Sequence, residues 1–388
     1  MRTILKFSLR AAVILVVVAA VVGFWKREEI SRLLAVSTLF SEEKIVANFS
    51  HMDSAFLSQE LDRGTGPVSD LPQGDPMDLP GSFDTWLSER AVTALVVMKD
   101  GKIRHESYHK GTGDEDRRIS WSVAKSFLSA LMGVIVEQGA IASLDDPVEI
   151  YAPSLIGGAY EGATVRNVLN MASGVTFDED YLDQSSDINK MGRVLALGRS
   201  MDGFAADLEA RFTSPGAQWQ YVSIDTHVIG MVIRGATGRS IHDLMEEYIV
   251  DPMGFEAAPY YLTDGYGVAF VLGGLNLRTR DYARFGQMFL QKGLWGDRQI
   301  VPARWVTAST RPSAPTAAGE VQYGYQWWIP SDAPEGEYFA RGIYGQYIYI
   351  DEARGVVIAA NGADRGFRED GAHDQNLAMF RTLAASLE

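Results

Sequence analysis

Residues 122–131, Ser122-Val123-Ala124-Lys125-Ser126-Phe127-Leu128-Ser129-Ala130-Leu131, place an S-x-x-K pair at the head of a strongly apolar segment. Apolar residues recur at helical spacing through Phe127, Leu131, Val134 and Ile135, which predicts a helix from Ser122 to Gln138. Gly139 stands just past its end, where a left-handed cap is favoured. Residues three apart share one helix face, so Lys125 can reach the hydroxyl of Ser122. A serine in the first helical turn lies among unpaired N–H groups, at the dipole end that favours negative charge. Its own N–H can serve as half of an oxyanion hole. A lysine buried behind it loses hydration, its pKa falls, and it can accept the serine proton.

The motif alone is weak, because Ser41-Glu42-Glu43-Lys44 satisfies it too, in a polar stretch. Ser122 differs in its apolar setting and in its company downstream. Tyr221-Val222-Ser223 comes about a hundred residues later, just after Ser214-Pro215-Gly216. With these residues the chain resembles the serine β-lactamase and penicillin-binding-protein superfamily, in its class C and esterase-like branch. That branch carries S-x-x-K, then Y-x-N or Y-x-S after a Pro-Gly turn, then a Gly-rich strand near the C-terminus. Further segments agree in order. Residues 163–174, from Ala163-Thr164-Val165-Arg166 to Ser173-Gly174, are similar to the family's TVRHLLTHTSG segment. Asp251-Pro252-Met253-Gly254 is similar to its DPLG, and Gly273-Gly274-Leu275 leading to Thr279-Arg280-Asp281 to its GGL and T-RDLARFG. The resemblance covers roughly residues 85 to 385.

The Y-x-S variant, and Ala340-Arg341-Gly342 where lactamases show K-T-G, are most similar to the 6-aminohexanoate-dimer (nylon-oligomer) hydrolase-like serine hydrolases and related esterases. The resemblance implies that Tyr221 shares protons with Lys125, that Ser223 hydrogen-bonds near Lys125 or the substrate, and that the backbone N–H of Ile343 joins that of Ser122 as oxyanion donor. It also implies acyl transfer through a covalent ester on Ser122, on a small-molecule ester or amide, without a cofactor. Neither Lys nor His opens the K-T-G match, so the cation that grips a β-lactam carboxylate is missing there, unless the adjacent Arg341 substitutes. Weight therefore moves from β-lactams to esters or linear amides. No deacylating glutamate of the class A kind is identifiable. One alternative is a D-stereospecific peptidase or penicillin-binding-type enzyme acting on cell-wall peptides, with Arg341 facing inward. Another is a non-catalytic, membrane-tethered binding protein on the same fold.

Tyr323, Tyr325, Trp327 and Trp328 are candidates to line an acyl pocket, beside the commoner role of aromatics in sheet packing. There is no G-x-S-x-G elbow, no H-E-x-x-H and no P-loop. The six histidines form no metal-ligand pattern, so no metal site is expected; His227, close after Tyr221, is the one of interest. A net charge of −15 argues against nucleic acid as a partner, since phosphate binding needs a basic surface. The absence of cysteine excludes disulfides and thiol catalysis.

Arg2, Lys6 and Arg10 precede an apolar run from Ala11 to Trp25, which Lys26 and Arg27 stop. An uncleaved N-terminal membrane anchor over 1–26 is the preferred reading; a cleaved signal peptide fits the same pattern. Basic residues ahead of the run put the bulk of the chain outside the cytoplasm, on the periplasmic side. Residues 27–81, crowded with Gly and Pro in their second half, read as a tether or N-terminal wrap, and 82–388 as the hydrolase domain. Strands are expected over 91–98 and 102–108 about an Asp100-Gly101 hairpin, and over 338–342, 346–351 and 355–361; a helix closes the chain over 374–387. Strands at both ends with helices between predict an α/β, β-lactamase-like fold: a mixed antiparallel sheet flanked by helices, plus an all-helical lobe, with the site in the cleft between them.

Overall fold

Asp100 and Gly101 both take positive φ (50° and 78°), and across them the strands Val92–Lys99 and Lys102–Tyr108 pair antiparallel. The computed structural model describes residues 2–387, without the side chains of 2–9, 11, 12 and 19. The hairpin is one flank of a seven-stranded sheet in the order Lys102–Tyr108, Val92–Lys99, Val356–Gly362, Gln346–Asp351, Glu337–Gly342, Trp327–Ile329, Gln322–Gly324. Every ladder in it is antiparallel. The two ends of the chain thus build one sheet, as expected.

Both sheet faces are buried, which is why its central strands read as nearly continuous apolar runs. The helix Ala372–Ala385 covers one face, where Phe380 meets Trp86 of the helix Phe83–Glu89 edge-on at 5.9 Å. The helices Thr279–Leu290 and Ala124–Glu137 lie against the other, with Phe127 and Phe285 stacked between them. A helical lobe includes Val165–Leu169, Asp187–Ala196, Met201–Ala206 and Ser223–Thr237. Ser126 and Ser129 tie the Ala124–Glu137 helix to the sheet, donating to the carbonyls of Gln326 and Tyr325.

Local chemistry moves some expected boundaries. Trp121–Val123 forms a 3₁₀ turn, so the α-helix proper begins at Ala124 and Ser122 lies in the tight turn before it. Thr164 caps the next helix in a capping box with Asn167, and Met171 leaves helical space with φ 52°. Thr279 is the first residue of its helix, and its hydroxyl donates to Asn361 Oδ1 at 2.9 Å.

The Gly/Pro-rich stretch runs along the sheet's flank. Ile103 donates to Pro72 O, while Gly74 and Met77 donate to the carbonyls of Ile103 and Arg104. It satisfies backbone groups of a strand that would otherwise be an open edge. Before it, Leu39, Ile45, Phe49, Met52 and Leu61 are buried in the main core. The N-terminal helix Arg2–Trp25 leaves its described apolar side chains exposed, Leu15 and Phe24 among them. Among the described residues no helix is long and apolar enough to cross a membrane. The side chains of Arg2 and Lys6, on which the expected orientation leaned, lie outside the described residues.

Candidate active site

Lys125 is only 2% exposed, on the first turn of its helix. Its ammonium donates to Leu272 O at 2.8 Å and to Ser223 Oγ at 3.5 Å. Burial lowers its pKa to about 7, against the opposing pull of Glu179 and Asp225. At neutral pH both protonation states are therefore populated. The other S-x-x-K does not share this setting: Lys44 is exposed.

Ser122 and Tyr221 line one cleft of about 450 Å³, together with Glu179, Tyr181, Trp328, Arg341, Gly342 and Ile343. Tyr221 is held from behind by Trp328, stacked on it at 5.2 Å. The Lys125 nitrogen lies 5.5 Å from the Tyr221 ring centre. Burial and the Glu179 charge push the phenol pKa up, while the neighbouring hydroxyls of Ser122 and Ser223 and the Arg341 charge pull it back. Polar groups thus neighbour one another from Ser122 through Tyr221 and Ser223 to Lys125, whose ammonium donates to Ser223 Oγ.

Gly342 brings the end of the strand Glu337–Gly342 against the Ser122 turn. A Cβ there would lie 2.7 Å from Ser120 O and 3.1 Å from Ser122 N. Ile343 follows directly and lines the same cleft as Ser122, and its N–H meets no acceptor among the described residues. Arg341 lines the same cleft, near the Tyr347 phenol and without an ion-pair partner among the described residues.

Of the four aromatics expected at a pocket, only Trp328 lines the cleft. Strand alternation sends its neighbour Trp327 to the opposite face, where it is fully buried against Phe289. Tyr325 packs on Trp305, and Tyr323 lies behind Trp328. His227 pairs with Asp202 at 2.8 Å in the helical lobe, away from the cleft lining.

A family model described as Beta-lactamase matches residues 87–378, well over half of the chain. The chain belongs to the beta-lactamase family. It is a serine hydrolase of the esterase and amidase type found there. The 6-aminohexanoate-dimer hydrolase of Paenarthrobacter ureafaciens is 28% identical over 286 residues, 70% of this chain and 72% of that one. A Bacillus anthracis protein provisionally assigned as a 6-aminohexanoate-dimer hydrolase superposes with a TM-score of 0.77 at 22% identity, covering 90% of this chain and 96% of its own. A D-stereospecific amidohydrolase from Streptomyces sp. superposes with a TM-score of 0.58 at 21% identity, covering 75% and 99%.

This beta-lactamase-family cleft also holds a carboxylate that motif reading missed. Glu179 accepts hydrogen bonds from the Ser223 N–H, from Ser223 Oγ at 3.2 Å and from Tyr181 at 3.1 Å. Burial raises its pKa and the Lys125 charge opposes the rise. Asp225, deeper still, accepts from Tyr160 at 2.7 Å and Ser173 at 2.8 Å, and burial pushes it up to about 7. Position in sequence offers little sign of either. Asp225 stands two residues beyond Tyr221-Val222-Ser223, but Glu179 sits in a run of acidic residues that reads as solvated loop.

Proposed function

We propose that this enzyme cleaves an ester or linear amide through a covalent acyl-Ser122 intermediate. The observation that carries the reading is the line of neighbouring polar groups Ser122–Tyr221–Ser223–Lys125 at one cleft, ending on a buried lysine whose pKa burial lowers to about 7. The neutral amine of Lys125 draws the Ser122 proton along that line as Oγ bonds to the substrate carbonyl carbon. Tyr221, whose pKa is raised, is a neutral phenol at rest and passes a proton on as it takes one up. The N–H groups of Ser122 and Ile343 hold the carbonyl oxygen as it becomes an oxyanion. Collapse breaks the bond to the alcohol or amine, which leaves with the proton returned through Tyr221. Water then repeats the sequence on the ester, releasing the acid and restoring Ser122. Ser223 holds the line together, and no cofactor enters any step.

The test is reaction of the full chain with a fluorophosphonate probe and p-nitrophenyl butyrate, beside Ser122→Ala and Tyr221→Phe. Labelling and turnover are expected in the wild type, both lost in Ser122→Ala, with turnover sharply reduced in Tyr221→Phe. A wild type that neither labels nor turns over removes the reading and favours a binding protein on the same fold.

A second reading has one observation in its favour. Arg341 lines the cleft with no carboxylate partner among the described residues, as expected of a D-stereospecific peptidase gripping a peptide's free carboxylate. Turnover of D-configured dipeptides above their L-isomers would select it.

We also propose that the helix Arg2–Trp25 anchors the protein to a membrane and leaves the cleft on the extracytoplasmic side. Its support is the band of exposed apolar side chains from Val13 to Val18. Carbonate-resistant membrane association lost on deleting residues 2–26 is the expected result. Release of the full chain by high salt alone would sink the proposal.

A further inference from the structure

The two residues beside the candidate oxyanion donors share an unusual backbone. Trp121 precedes Ser122 with φ 41°, and Tyr344 follows Ile343 with φ 61°. Bulky side chains enter this left-handed region at a conformational cost and persist there only where their surroundings over-determine them. Here the surroundings are aromatic, and half of them come from the N-terminal segment. Phe40 stacks on Tyr344 at 5.0 Å with the rings 12° from parallel, and lies 5.9 Å from Trp121. Phe49 meets Trp121 edge-on at 5.6 Å and Tyr344 at 5.4 Å. Trp121 and Tyr344 are themselves 6.2 Å apart.

Main-chain bonds fasten the same segment to the approach to Ser122. Ile119 N–H donates to Phe49 O at 3.0 Å. The buried Arg118 guanidinium donates to Val46 O and Ser50 Oγ, each at 2.7 Å. The segment from Phe40 to Ser50 therefore touches both turns that carry the cleft-lining Ser122 and Ile343, though it contributes no residue to the cleft lining.

We infer that Phe40 and Phe49 are positioning residues, clamping the left-handed turns at Trp121 and Tyr344 so that the N–H groups of Ser122 and Ile343 converge on one oxygen. The inference rests on the acyl-enzyme reading above, because it assigns these residues to the alignment of the oxyanion site. An oxyanion site works by being set before charge develops, so slack in either turn costs transition-state binding more than substrate binding. Phe40, 37% exposed, is the ring to test, since its loss leaves the buried core intact.

The full-length chain is compared with Phe40→Ala, Phe40→Leu and Phe40→Tyr on p-nitrophenyl butyrate, with a phenylboronic acid as tetrahedral probe and Ser122→Ala as control. In Phe40→Ala, kcat is expected to fall about 10-fold with KM changed less than about twofold, and boronate affinity to fall in parallel. Phe40→Tyr keeps the ring and restores both. Phe40→Leu keeps apolar bulk without the stack and serves if the alanine variant does not fold. Wild-type kcat and boronate affinity in a folded Phe40→Ala or Phe40→Leu overturn the clamp alone, provided wild-type turnover is lost in Ser122→Ala. A wild type without turnover or labelling overturns the acyl-enzyme reading, and the clamp with it.

Discussion

Lys125 Nζ donates to the main-chain oxygen of Leu272 at 2.8 Å, across 147 residues of sequence. A neutral carbonyl holds the ammonium without neutralising it, so the charge is balanced only by Glu179 and Asp225. Both carboxyls are themselves pushed up by burial. Desolvation therefore wins, and the lysine rests near its switching point at neutral pH.

That balance sets the pH dependence. Lys125 must be neutral to accept the Ser122 proton, and the neutral fraction grows as pH rises through about 7. The log of kcat/KM for an uncharged ester is expected to climb with pH below about 7 and level off above it. A profile flat from pH 5 to 9 would remove Lys125 as the acceptor.

Glu179→Gln removes a negative charge that favours protonated Lys125, while keeping an acceptor for the Ser223 N–H. The lysine pKa should then fall further, carrying the rising limb to lower pH. Measured kcat/KM profiles of the two proteins decide this. A limb that stays in place, or moves to higher pH, shows that the carboxylate and the lysine are not coupled.

Arg341→Ala separates carboxylate recognition from tuning of Tyr221. Charge-assisted hydrogen bonds contribute about 1.5–3 kcal/mol, so KM should rise roughly 10- to 100-fold for acyl substrates carrying a free carboxylate. Neutral esters should keep their KM. A shared fall in kcat for both would assign the guanidinium instead to lowering the Tyr221 pKa, the direction its charge acts.

Stability has its own test at Gly133, where an added Cβ would overlap the indole of Trp305. Both residues lie in the packed interface between the helices Ala124–Glu137 and Ala303–Ser309. Gly133→Ala is expected to destabilise by about 1–3 kcal/mol through overpacking, read from denaturant unfolding. Unchanged stability would mean that the indole shifts at no cost.

The aromatic pair Trp327-Trp328 shows where sequence reading stops. Composition makes both residues equal candidates for a pocket, yet the pleat sends one into the core and lays the other on Tyr221. Register decides which, and register depends on partner strands more than ten residues away, through the Trp328–Phe339 pairing. Residues 27–81 carry a similar lesson. Their glycines and prolines mark an absence of regular structure but not a destination, which proves to be the sheet edge and, for Phe40 and Phe49, the turns beside Ser122 and Ile343.

Features encoded within a few residues were legible in the chain alone. These are the Asp100-Gly101 hairpin, the apolar helix behind Ser122 and Lys125, the closing strands and helix, and the ordered motifs that mark the family. Turn chemistry and hydrophobic period act locally, so they can be read locally. The electrical setting of Lys125 emerged only on folding, because Glu179 and Leu272 reach it from loops far along the chain. Folding, too, brought Phe40 and Phe49 against Trp121 and Tyr344. Charge interactions and ring packing act through space over a few ångströms, and no spacing along the chain records which distant residues will be brought that close.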